Sequence, residues 1–315
     1  MKKLQSSPLL MAASLAAIGV ILYILIFPGK NTNPANAIQM GSTDKAGGYQ
    51  RIICATPSVT EIVFALGCGG RVVGVSDFSF YPPEAKDTTS IGGLINPNKE
   101  RIIQLQPDLI IFQGRHDPLT KLSQQNEIPY LSVPIDSLQD ISTAIRTIGQ
   151  KLGVERQANR LANQLQTDLL ALRARTEALP RAKVFLTLGH TPGDLSGLMT
   201  TGPGTFLHEL VALAGGQNLF DDASGLYPQI SKEALIKRQP DIIIEVFAEG
   251  ITSNNREILR KDWERLSDMP AVKTGNIHFI TEDYLLIPSM RVVQTAKRLI
   301  EIIHPESANE KLDRT

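Results

Sequence analysis

The sequence predicts an α/β protein built from two similar lobes, and three observations carry that prediction. Twelve residues beginning at Glu100, E-R-I-I-Q-L-Q-P-D-L-I-I, return at Glu233 as E-A-L-I-K-R-Q-P-D-I-I-I, an offset of 133 residues. Each copy joins a short helix, stopped by its Pro, to an uninterrupted apolar run of the kind that forms a strand covered on both faces. The residues between the copies include one stretch, Glu155 to Leu179, without Gly or Pro and with Leu161, Leu165, Leu169 and Leu172 at helical spacing. A repeat of this length in two copies means duplicated domains, not a solenoid. The expected architecture is therefore α/β, two Rossmann-like lobes with a central cleft, joined by a single long interdomain α-helix.

In chain order, residues 1–50 read as a signal or anchor followed by a linker. Lys2 and Lys3 precede an uncharged, apolar-biased run from Leu9 to Phe27, long enough either to cross a bilayer or to act as a signal h-region. Both readings export the chain. Ala35-Asn36-Ala37 places small residues where a signal peptidase requires them, so the segment is either cleaved after Ala37 or kept as an anchor. No Cys lies between the run and Cys54, which removes lipid attachment. Residues 28–50, rich in Gly, Asn, Thr and Ser, form a tether.

The N-terminal lobe spans 51–154, the interdomain helix 155–180, the C-terminal lobe 181–304, and a polar tail 305–315. Ile52 to Ala55 and Val184 to Leu188 are equivalent short strands. Each leads through a loop and helix to a glycine pair, Gly69-Gly70 and Gly215-Gly216, and then to another strand. Asn98 and Ser231, two places before the repeated Glu, cap the short helices. Cys54 and Cys68 sit at opposite ends of a strand–helix unit, beyond the roughly 7 Å between Cα atoms that a disulfide tolerates, and are expected to be reduced and buried.

Composition removes several functions. Lys plus Arg and Asp plus Glu both number 32, so no basic excess awaits nucleic acid. Two cysteines, with no CxxC or HExxH spacing, make no metal site. Ser58 and Ser231 lack a G-x-S-x-G setting. Thr201-Gly202-Pro203-Gly204-Thr205 lacks phosphate-loop spacing and reads as a helix-start turn. Asp221-Asp222 and Glu282-Asp283 have no matching base. Neither catalytic residues nor cofactors are expected.

Arg51 to Gly74 (RIICATPSVTEIVFALGCGGRVVG), Tyr81 to Ala85 (YPPEA), Asn98 to Arg101, Gln106-Pro107-Asp108, Thr200 to Leu207 (TTGPGTFL) and Tyr227 to Glu233 (YPQISKE) resemble the periplasmic binding proteins for cobalamin, ferric siderophores and haem. The resemblance runs from Arg51 to Ile303. It implies a periplasmic or other extracytoplasmic monomer that captures a metal chelate, closes little on binding, and delivers its ligand to the permease dimer of an ABC importer. On spacing alone, Glu100 and Glu233 sit in first turns where a carboxylate suits the helix dipole. The resemblance gives them a further role, as the glutamates that form salt bridges with arginines of the two permease subunits. The alternative is a tetrapyrrole metal chelatase-like enzyme on the same plan, using a cleft His and a carboxylate. Export argues against it.

The ligand is less legible. Among the loops expected at strand ends, Phe78, Tyr227 and Tyr284 supply aromatic area suited to a bulky, apolar-faced ligand. Against the cobalamin-binding members of the resembled family, Phe78 and Tyr227 keep aromatic character and Asp283 matches an acidic contact, whereas Leu94 and Gln113 replace tryptophans. Arg115 is an arginine of a rim loop, suited to an anionic chelate oxygen. His190 or Tyr227 would suit haem as an axial ligand. Corrinoid, ferric siderophore and haem remain open.

Overall fold

The computed structural model describes residues 39–41, 48–247 and 253–306. The expected signal or anchor and the end of the polar tail lie outside them. Among the described residues, no helix is long and apolar enough to cross a membrane. The described residues form two compact units: those up to Asp168 together with Ile287–Arg291, and those within Leu169–Leu286 together with those from Val292 onward.

The N-terminal unit holds a five-stranded sheet in the order β1-β5-β4-β2-β3. Its strands are β1 (Gln39–Gly41), β2 (Ile52–Cys54), β3 (Val72–Val75), β4 (Leu109–Gln113) and β5 (Tyr130–Val133). Its helices are α1 (Pro57–Ala65), α2 (Lys99–Gln104), α3 (Asp117–Gln125) and α4 (Leu138–Lys151). β1 pairs antiparallel with β5, and the other pairings are parallel. Parallel neighbours need crossover helices on the sheet faces, which is why β2 and β4 are apolar without alternation and wholly buried over Ile52–Cys54 and Leu109–Phe112.

Next comes α5 (Glu155–Thr176), 22 residues long, ending three residues short of Leu179, with the hydroxyl of Thr176 donating to Leu213 O at 2.6 Å. It buries Ala158, Ala162, Leu165, Leu169 and Leu172, while Leu161 is only half-buried. The seam runs through alanines because α4 comes close: a Cβ at Gly149 would lie 2.1 Å from that of Ala158. Small residues at such a crossing let two helix backbones approach without displacing side chains.

The C-terminal unit holds a fully parallel four-stranded sheet, β7-β6-β8-β9. Its elements are β6 (Ala182–Thr187), α6 (Phe206–Leu213), β7 (Gly216–Asn218), α7 (Lys232–Arg238), β8 (Ile242–Val246), α8 (Ser253–Glu264), α9 (Pro270–Lys273), β9 (Ile277–Ile280) and α10 (Val292–Ile303). Its core gathers Phe185, Phe220, Leu259 and Trp263.

The repeated Gln-Pro-Asp has a structural job. Gln106 and Gln239 adopt left-handed backbone at φ 45° and 54°, which ends α2 and α7, and the Pro prevents their resumption. The following Asp ties the turn to a neighbouring strand. Asp108 accepts the N–H groups of Gln50 and Arg51 at 2.9 Å each, and Asp241 accepts that of Lys183 at 2.8 Å. Asn98 and Ser231 cap as their spacing indicates, accepting the N–H groups of Arg101 and Ala234. Cys54 and Cys68 are free and buried, and burial pushes both thiols above their ordinary pKa.

Candidate ligand site

In the N-terminal unit the expected contacts collect at the carboxyl ends of β3 and β4, where parallel sheets hold their ligands. Phe78, half-buried in the turn after β3, lies against the loop Gly92–Pro97, and a Cβ on Gly93 would stand 3.8 Å from its ring. Gly92 has φ +90°, and a side chain there would meet Asn96 O at 2.9 Å, so this turn demands glycine. Leu94 differs from its expected place at a ligand surface: its side chain is buried. Its carbonyl accepts from His116 Nε2 at 2.5 Å. His116 Nδ1 accepts the Leu119 N–H and caps α3, which assigns the proton to Nε2; burial lowers the pKa of this imidazole and favours the neutral ring. Gln113 is also committed to its own unit, taking the Ser58 hydroxyl at 2.6 Å and donating to Ile135 O at 3.1 Å. Arg115 is exposed and grips Asp117 through two bonds, at 2.8 and 3.2 Å.

The C-terminal unit places Tyr227 half-buried on a segment running beside 199–202, with Pro228 O accepting from Thr200 N–H and Leu226 O from Gly202 N–H. A Cβ at Gly202 would lie 2.1 Å from Gly225 O. Gly202 therefore serves a close backbone crossing, while Thr205 caps α6 by accepting the His208 N–H. Past β9, Asp283 is exposed and Tyr284 half-buried. Burial, followed by the negative charge of Glu282, pushes the Tyr284 phenol up. Glu282 itself is paired with Arg298 at 3.1 Å.

His190 does not offer a nitrogen to a metal chelate. Its side chain is fully buried, with Nδ1 2.6 Å from Glu245 Oε1 and Nε2 3.3 Å from Asp262 Oδ2. An axial ligand needs a free lone pair, and both ring nitrogens are occupied. Among the described residues, no group of three or more His, Cys, Asp or Glu is arranged to hold a metal ion.

Glu100 and Glu233 are both exposed in the first turns of α2 and α7. The backbone N–H of Glu233, then the Ser231 hydroxyl, hold the Glu233 carboxyl below the usual carboxylate range. One turn on, Ile103 and Ile236, equivalent in the repeat, are 46% and 41% exposed, a pair of large apolar side chains left on the surface at matching positions.

Two buried clusters escape a reading by motif. Glu61 on α1 takes two bonds from Arg291 Nε, at 3.0 and 3.1 Å, and further bonds from Arg291 Nη2 and the Ser289 hydroxyl. The Arg291 guanidinium stacks 4.2 Å from the Tyr81 ring centroid. This is why 287–291, placed by sequence with the C-terminal lobe, packs into the N-terminal unit. Residues 230 positions apart leave no local pattern to announce them. The second cluster, around Glu245, left a faint signal: a charged residue interrupts the apolar run of β8 where the first copy has Phe112.

Two α/β units, each with a largely parallel sheet, are the architecture of the two-lobed solute-binding proteins. The sequence pattern of the periplasmic binding protein family matches residues 52–284, and the chain belongs to that family. A vitamin B12-binding protein of Vibrio vulnificus is 31% identical over 82% of this chain and 91% of its own length. A periplasmic haem-binding protein from Roseiflexus sp. RS-1 superposes with a TM-score of 0.69 at 26% identity, covering 82% of this chain and all of that one. A structure described as a possible iron-binding (periplasmic solute-binding) protein from Staphylococcus epidermidis gives 0.71 at 28% identity, over 82% and 99%.

Proposed function

We propose that this chain is an extracytoplasmic solute-binding protein without catalysis, which captures a metal chelate and delivers it to the permease of an ABC importer. The observation that carries the reading is the family match across 52–284, which takes in both units and relatives named for vitamin B12 and haem. The ligand is a corrinoid, a ferric siderophore or haem. Phe78, Tyr227 and Tyr284 supply aromatic faces, while Arg115 and Asp283 supply polar contacts from exposed loops. Leu94 and Gln113 act from beneath by shaping the loops above them. Glu100 and Glu233 form the docking pair, and Ile103 and Ile236 place apolar surface beside each carboxylate. Charges at the rim of an interface govern register and association rate more than affinity.

Native mass spectrometry of the protein incubated separately with aquocobalamin, haem and a ferric hydroxamate tests the reading. We expect a one-to-one complex with one of them. Binding of none overturns the ligand class.

A further inference from the structure

The loop joining β6 to the rest of its unit, residues 188–198, is exposed at Thr191–Asp194 and held down from below at His190 and Leu195. It leaves the carboxyl end of a central strand, where a ligand of such a sheet is met. Its fixings are ionic. His190 Nδ1 faces Glu245 Oε1 on β8 at 2.6 Å, and Nε2 faces Asp262 Oδ2 on α8 at 3.3 Å. Asp262 Oδ2 also accepts the Gly193 N–H at 2.6 Å, and Arg265 Nη1 donates to Gly193 O at 2.8 Å. The loop apex is thus pinned at its donor by Asp262 on α8 and at its acceptor by Arg265, the residue that follows α8. Trp263 Nε1 donates to the remaining Glu245 oxygen at 2.7 Å, and its ring meets His190 edge-on at 5.4 Å.

Hydrogen-bond roles assign the charge. Among the described residues, Trp263 N–H donates to Glu245 and Gly193 N–H to Asp262, and the Arg265 guanidinium pairs with Asp262. With Glu245 and Asp262 both acting as acceptors, hydrogen on each ring nitrogen completes the two bonds that face them. An imidazolium flanked by two carboxylates, with the Arg265 guanidinium 3.4 Å from Asp262, makes a cluster whose formal charges cancel. Cancellation is what allows charged groups to stay buried.

We infer that His190 is a positioning residue, held as an imidazolium between Glu245 and Asp262, which with Asp262 fixes the 189–197 loop in the shape that meets the ligand. The inference rests on the proposed binding function for its consequence, not for its geometry. Among the described residues, the charged and titratable groups facing the ring are Glu245 from β8, Asp262 from α8, and Arg265 just past the end of α8. Burial opposes the charge; the bonds and charges of Glu245 and then Asp262 outweigh it, and the His190 pKa lies above that of an ordinary imidazole. A raised histidine pKa contributes stability that is complete below the unfolded value, about 6.5, and is lost as pH rises through the folded value. The clamp therefore loosens toward alkaline pH.

Nitrogen NMR of the ligand-free, full-length protein, with the His190 signals assigned through His190→Gln, reads the charge directly. We expect both ring nitrogens protonated at pH 7 and a titration above that of free histidine; one unprotonated nitrogen at pH 7 overturns the inference. Hydrogen exchange of the Gly193 amide, corrected for intrinsic rate, should lose protection over the same pH range in which His190 titrates, and pH-independent protection overturns the coupling. Asp262→Asn should shift the alkaline fall in affinity for the bound probe, whether aquocobalamin, haem or ferric hydroxamate, toward lower pH and weaken binding about tenfold at pH 7. An unchanged pH profile in that variant overturns the positioning role. Should no probe bind, the proposed ligand class fails, while the NMR and exchange results still decide the clamp.

Discussion

The same position of the repeat is built in opposite ways in the two units. Phe112 on β4 and Glu245 on β8 are equivalent, 133 residues apart, and both are completely buried. In the N-terminal unit the site is apolar: Phe112 stacks on Tyr130 at 5.8 Å and meets the ring of His116 at 5.9 Å. In the C-terminal unit it is ionic: Glu245 takes one bond from His190 and another from Trp263. Each unit places a histidine in the loop beyond a central strand, yet one ring is neutral and caps a helix while the other is clamped between carboxylates. A duplicated fold constrains where a side chain points and whether it is buried, but not what chemistry satisfies it there.

The largest effect expected from breaking this comparison is at Glu245. Glu245→Leu leaves His190 and Trp263 facing an apolar side chain, and removing one partner of a buried ion pair costs about 3 to 5 kcal/mol. Trp263 is the chain's one tryptophan and lies in this cluster, so urea unfolding followed by its fluorescence reports the C-terminal unit selectively. A loss below about 1 kcal/mol would mean the cluster is not charged.

Phe112→Leu trims the equivalent apolar site. It should cost about 1 kcal/mol, seen in the circular dichroism transition, because an apolar replacement of similar volume leaves no polar group stranded. A cost as large as that of Glu245→Leu would erase the contrast between the units.

A smaller effect separates the histidines by sign. His116 has a lowered pKa, so its contribution is complete above about 6.5 and is lost as pH falls through its folded value. His190 behaves oppositely. Corrected for intrinsic rate, the Leu119 amide, capped by His116, should lose protection on acidification, and the Gly193 amide on alkalisation. Both loosening in the same direction would contradict the two protonation states.

The smallest effect on the fold itself is expected from Glu100→Ala combined with Glu233→Ala. Both side chains are exposed, so the unfolding midpoint and ligand affinity should stay close to those of the parent, within about twofold for affinity, while delivery to the importer falls sharply. Loss of ligand binding in the double variant would remove the docking role.

Periodicity and punctuation determined much of this protein before any coordinate. The repeat at Glu100 and Glu233 announced two equivalent strand–helix systems, because a helix stopped by Pro and followed by an apolar run has few other ways to fold. Asn98 and Ser231 were legible as caps for the same local reason. Short-range stereochemistry did not reveal the Glu61–Arg291 pair, the reassignment of His190 from a ligand contact to a buried clamp, or the commitment of Gln113 to Ser58 and Ile135. Each depends on groups brought together across tens to hundreds of residues, and the sequence carries no register for such meetings. Burial also decided between the two readings open to a loop histidine. In water a lone imidazole is a free ligand or hydrogen bonder; enclosed between two carboxylates, it is held by electrostatics that only the tertiary fold supplies.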